Sequence, residues 1–181
     1  MKKYELTDDT ITVGSRILHR IKALKDFADV EEGELGGYVE KEDNLDHSGE
    51  AWVSEDARVC GDARVGGNAR VSEDARVGGN AQVGGDAWVS GDAQVYGNAQ
   101  VYGNARISGE NDYTTAKGFG REYRTATFFR LKDGGIGVRC GCFYGTLDEF
   151  RKKVKETHKE SKLGKEYLML ADLMEYKFKD E

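Results

Sequence analysis

From residue 44 to 109 the hydrophobic positions recur on a beat of six. A branched residue stands at Val53, Val59, Val65, Val71, Val77, Val83, Val89, Val95, Val101 and Ile107, and an alanine stands two positions before each. The first of the eleven hexads is imperfect, with Leu45 in the alanine place and His47 in the valine place. Spacing of two between inward residues predicts a very short strand. The Gly-Asn or Gly-Asp that usually follows is turn chemistry, because glycine accepts positive φ and Asn or Asp tolerates it best among the others. Three strands and three turns close a triangular coil of 18 residues, matching the exact return of SEDARV at Ser54–Val59 and Ser72–Val77. Stacked coils bring valine onto valine and alanine onto alanine in a thin apolar core.

The flanks break the beat. In residues 1–43, Ile17–Leu24 has strand character and Gly36-Gly37 precedes the apolar pair Tyr38-Val39. A parallel coil ends in unpaired backbone groups, so this block is expected to be a β cap on the first coil. In residues 110–181, Tyr123–Leu131 and Ile136–Phe143 flank an Asp133-Gly134-Gly135 turn and predict a hairpin or meander. A first helix is expected after it: Thr146 and Glu149 have capping-box spacing, with Leu147, Phe150 and Val154 on one face. A second runs over about Leu163–Met174, with Tyr167, Leu168, Ala171 and Met174 as its apolar stripe. This α+β domain is expected to close the far end of the coils.

The gapless V-x-G-[N/D]-A-x repeat resembles the hexapeptide-repeat, left-handed parallel β-helix proteins. That resemblance implies the left hand, which general topology would not, since crossovers between parallel strands are normally right-handed. The expected fold is therefore mainly β: about 3.5 coils of 18 residues, an N-terminal β cap and a small C-terminal α+β domain. The N-terminal block running straight into the hexads resembles hexapeptide-repeat proteins of bacteriophages and prophages, a likeness that carries no activity with it.

Composition narrows the partners. A formal net charge of −6 argues against general nucleic-acid binding, which needs a basic face. No apolar run approaches a membrane span, and no apolar segment follows the two N-terminal lysines to make a secretory signal. Cys60, Cys140 and Cys142 are odd in number and suit a reducing cytosol, the host's if the chain is phage-encoded. Cys140 and Cys142, one residue apart on a strand, would point to opposite faces and make a poor zinc site. We expect no metal and no cofactor.

Many hexapeptide-repeat proteins are acetyl-CoA-dependent acyltransferases with a histidine base in the groove between subunits of a trimer. Here the histidines are His19, His47 and His158, none in the ten clean hexads, and no long loop interrupts a coil. Acyl transfer is the less favoured alternative.

The 18-residue period also sorts the outward side chains. One face stacks Trp52, Arg70, Trp88 and Arg106; a second stacks Arg58, Arg76 and Gln94, with Tyr96 beside them; a third stacks Arg64, Gln82 and Gln100, with Tyr102. Arginines one coil from tryptophans suit guanidinium–indole stacking, and two exposed tryptophans mark an interface. Trp52, Arg70, Trp88, Arg106, Arg58, Arg76, Tyr96 and Tyr102 are thus the candidate ligand- or interface-binding residues. Fewer than four coils bury little apolar area at ~25 cal/mol per Å², which favours a homotrimer, the usual solution in this fold. The leading expectation is a non-enzymatic scaffold acting on a host protein, with counter-defence a suitable setting. The alternative is sequestration of a small anionic nucleotide signal between subunits.

Overall fold

The computed structural model describes residues 2–120 and 122–179. Two compact units emerge, Met1–Glu110 and Asn111–Glu181. The first is a β-solenoid of about four turns. Each of the ten hexads after the first contributes a two-residue strand, such as Arg58–Val59 or Arg76–Val77, and strands 18 residues apart pair in parallel. The valine of every rung, and the alanine before it, is buried. The outward residue of each rung pairs with its counterpart one coil away: Trp52, Arg70, Trp88 and Arg106 on one face, and Arg58, Arg76 and Gln94 on the next.

The coil corners show why glycine sits there. Gly61, Gly67, Gly79, Gly85, Gly91, Gly97 and Gly103 all have φ between +61° and +71°. At Gly79 a Cβ would stand 3.0 Å from the Gly97 nitrogen of the next coil, so stacking as well as φ excludes a side chain. At the first corner position Glu55 and Glu73 take the same left-handed conformation, with φ of +56° and +58°.

The solenoid starts earlier than the hexads suggest, and with a different register. Strand β3 (Leu35–Val39) pairs in parallel with Arg58–Val59, placing Val39 under Val59, and Leu45 bridges to Val65. Each face therefore has four rungs. Leu45 occupies the place of a valine, not an alanine, and His47 is displaced into the corner that follows. The first coil is longer because Leu45 to Val53 spans eight residues where later rungs are six apart. An insertion of two keeps the alternation of faces, so the sequence gives no local sign of it.

Strands β1 (Tyr4–Val13) and β2 (Arg16–Ala23) form a hairpin, and β2 pairs antiparallel with β3. The second face thus belongs to one six-stranded sheet, with the hairpin beneath its first rung. Within the stack each alanine carbonyl accepts an N–H from the coil before, as Arg58 donates to Ala75 at 2.9 Å. The first coil has no regular predecessor, and side chains supply the missing donors. Lys3 Nζ donates to Ala51 O at 2.7 Å and Asn44 Nδ2 donates to Ala63 O at 2.8 Å. Lys3 and Asn44 are fully buried, and each satisfies a carbonyl that would otherwise be orphaned.

The second unit holds an antiparallel sheet of Tyr113–Phe119, Arg124–Arg130, Ile136–Cys140 and Phe143–Thr146, followed by α1 (Leu147–His158) and α2 (Lys162–Lys177). The strand at Tyr113–Phe119 was not expected, because its polar, glycine-bearing sequence lacks alternation; pairing with Arg124–Arg130 holds it. The capping box forms as read: Thr146 N–H donates to Glu149 Oε2 at 2.8 Å, and Glu149 N–H donates to Thr146 Oγ1 at 3.3 Å. Helix α2 runs past Met174 and buries Leu170, Ala171 and Met174 against Phe128, Val138 and Phe150, while Tyr167 and Leu168 are only partly buried.

Candidate binding faces of the solenoid

The eight candidate residues fall on three separate faces, as the period requires, and their environments differ sharply. Trp52 is not on the surface. It is 2% exposed, with the Phe27 ring edge-on at 5.4 Å and Tyr4 edge-on at 6.4 Å. Its indole Nε1 has no hydrogen-bond partner among the described residues. The period fixed which way Trp52 points from the coil, but the N-terminal block folds over that stretch of the face and covers it. The expectation of two exposed tryptophans is corrected accordingly.

Trp88, one of the four, remains open at 51% exposure. It is paired in register between Arg70 and Arg106. The Arg106 guanidinium stands 4.9 Å from the Trp88 ring centroid and is anchored by donating to the carbonyls of Asp86 at 2.9 Å and Ala105 at 2.8 Å. Arg70 is turned the other way, into an ion pair with Asp29. Between the N-terminal block and this face lies a cavity of about 480 Å³ bordered by Arg20, Asp29, Glu34, Glu55, Arg70 and Trp88. Two guanidiniums and three carboxylates leave it without a positive bias.

On the second face Arg58 is half-buried and Arg76 exposed, one rung apart. Tyr96 lies back across Gly78: a Cβ on Gly78 would fall 2.4 Å from the ring, with Cys60 Sγ 3.4 Å away on the far side. Tyr102 on the third face covers Gly84 in the same way and donates its hydroxyl hydrogen to Gln82 Oε1 at 2.7 Å. Both tyrosines seal backbone that a glycine one coil earlier leaves bare. A cavity of about 520 Å³ lies beside Tyr102, with Arg64, Asp46 and His47 on its border.

His47 stacks on Tyr4 at 4.4 Å, and its Nδ1 accepts the Lys3 backbone N–H at 3.2 Å. That bond occupies the free lone pair and places the proton on Nε2, which is buried and has no partner among the described residues. Burial, the largest influence, lowers the ring's pKa. His19 donates from Nδ1 to Thr7 O at 3.1 Å, and His158 lies 5.7 Å from the Tyr167 ring in the second unit.

In that unit Cys140 and Cys142 border one cavity of about 350 Å³ with Phe143, Phe150 and Tyr167. The opposite-face expectation fails because Cys142 is in the turn opened by Gly141, at φ +60°, rather than on the strand. Burial pushes the Cys140 thiol up and the Tyr167 phenol up to about 12. All three cysteines are free thiols, and among the described residues no group of three or more His, Cys, Asp or Glu is placed to hold a metal ion. No described helix is long and apolar enough to cross a membrane.

The chain is similar to the YdcK beta solenoid repeat, whose family model matches residues 57–73, 63–79, 81–97 and 99–110, together less than a third of its length. The matches lie wholly within the stacked rungs. No curated protein matches the chain.

Proposed function

We propose that this β-solenoid protein is a non-enzymatic binding scaffold of the bacteriophage or prophage kind, and that its Trp88 face receives a protein of the host. Interference with a host defence system is the setting that suits it. The observation that carries the reading is Trp88 itself: half exposed, with the Arg106 guanidinium over its ring, at the border of a groove of mixed charge. Tryptophan and arginine dominate binding energy at protein interfaces, and an anchor already fixed by Arg106 loses little freedom on binding. Mixed charge favours a protein surface over a small anion, because Asp29, Glu34 and Glu55 would repel a nucleotide entering beside Trp88. Against acyl transfer stands His47, whose Nδ1 lone pair is already committed to Lys3.

The test is purification of tagged wild-type and Trp88→Ala protein from prophage-bearing cells, with light scattering on both. A host protein retained by the wild type and lost at least tenfold by the variant supports the reading. If the wild type has a trimeric mass and the variant falls to 20.1 kDa, the face is a subunit contact and the host-partner reading is overturned. Equal retention by both proteins overturns it as well. A melting shift with cyclic nucleotides that disappears in Trp88→Ala assigns the face to a small ligand instead.

A further inference from the structure

The second face carries an arrangement that folding alone does not account for. Arg20 pairs with Tyr38 across β2 and β3, Tyr38 with Arg58, Arg58 with Arg76, and Arg76 with Gln94, so these five residues form one row across the sheet. Their neighbours Val39, Val59, Val77 and Val95 point inward. Arg58 and Arg76 are directly opposed on strands about 4.8 Å apart. Like charges in that position destabilise a sheet.

Among the described residues neither guanidinium is offset by a partner. Arg16 pairs with Glu40, Arg20 donates to Tyr38 Oη at 2.9 Å, Arg70 pairs with Asp29, and Arg106 donates to two carbonyls. Arg58 and Arg76 make no hydrogen bond or ion pair with any described residue. Carboxylates are not scarce, since the chain has 33 acidic residues against 27 basic ones. Glu55, Asp56, Glu73 and Asp74 stand at the corners just before these strands, yet none is bonded to either arginine. Arg58 is half-buried, so its charge is partly stripped of water without a counter-ion.

We propose that Arg58 and Arg76 form a clamp for a phosphate group. Each guanidinium offers a planar fork of N–H donors suited to two oxygens of one anion. A carboxylate is satisfied by one fork and neutralises one charge. A phosphate dianion has oxygens for both forks and matches both charges, which selects it for a pair fixed one rung apart. Arg20, laid 5.1 Å from the Tyr38 ring, extends the positive row toward the hairpin. Arg58 and Arg76 stand on a different face of the coil from Trp88, and only Arg20 borders the Trp88 cavity as well.

Isothermal titration of the full chain with pyrophosphate, in sodium chloride of matched ionic strength, tests this. Wild type is expected to bind saturably, with affinity reduced at least tenfold in Arg58→Gln and in Arg76→Gln. Arg64→Gln removes a single arginine stacked on Gln82 on the third face, and is expected to bind as wild type does. Acetate at equal concentration should not compete, whereas inorganic phosphate should. Absence of saturable pyrophosphate binding, or equal affinity in all four proteins, overturns the clamp. Adenosine monophosphate and a phosphoserine peptide, used as competitors, identify whether the phosphate comes on a small metabolite or on a side chain. Trp88→Ala should retain the pyrophosphate affinity, so failure of the host-partner reading and failure of the clamp are read separately.

Discussion

The solenoid and the C-terminal unit solve the same problem with opposite materials. The solenoid interior is built from alanine and valine, repeated at every rung and buried throughout. The C-terminal core converges once, on large side chains: Phe128 and Phe150 meet edge to face at 6.2 Å, with Leu170, Met174 and Phe178 around them. A periodic core has no site larger than the repeat allows, so it is filled by small side chains and resists enlargement. A core that converges once depends on each large ring, so it is sensitive to truncation. A family model built on repeats finds the first and has no purchase on the second.

Phe128→Ala should produce the largest effect, a loss of about 3–5 kcal/mol measured by urea unfolding, because the ring is fully buried and its neighbours cannot close the space. Ala75→Leu should cost about 1–3 kcal/mol by forcing extra methylenes between fixed coils. A change below about 0.5 kcal/mol there would mean that the interior has slack, and the contrast between the two cores would fail.

At the start of the solenoid, pH probes how the first coil is closed. Burial, the dominant influence, lowers the Lys3 pKa from its ordinary 10.5 to about 8, so the unfolded chain holds this proton more tightly than the folded one. Stability contributed by Lys3 therefore rises as pH increases from about 8 to 10.5, by about 1–3 kcal/mol. Melting curves of wild type and Lys3→Met across that range should diverge in favour of wild type. Parallel curves would show that burial does not lower the Lys3 pKa.

The smallest effect is expected at the corner. Glu55 adopts φ +56°, where eight other corners use glycine. Glu55→Gly should remove left-handed strain of ~1–2 kcal/mol and add back ~0.5–1 kcal/mol of chain entropy. The net stabilisation is about 0.5 kcal/mol, read as a higher urea midpoint. A lower midpoint would show that the Glu55 side chain contributes more to the folded state than its backbone costs.

Much of this was legible in the residues. The inward positions, the 18-residue coil and the assignment of Arg58, Arg76 and Trp88 to their faces follow from periodicity, because a strand alternates strictly and the corners have constant length. The capping box at Thr146 was legible because its bonds are local. The register of the first coil was not, since an even insertion leaves the alternation intact and only the pairing of Leu45 with Val65 reveals it. The Tyr113–Phe119 strand was hidden for a related reason, being held by its neighbour rather than by its own pattern.

By itself, then, the sequence determined the repeat, its inward column and the direction in which each outer residue points. These depend on spacing along the chain, and spacing is written in the residues. Only the tertiary structure decided that Trp52 is covered while Trp88 stays open, that Tyr96 and Tyr102 lie over Gly78 and Gly84, and that Arg70 has a carboxylate while Arg58 and Arg76 have none among the described residues. Those outcomes depend on which distant segment arrives at a face. The N-terminal block, 41 residues away in the pairing of Asp29 with Arg70, obeys no period that the coils share.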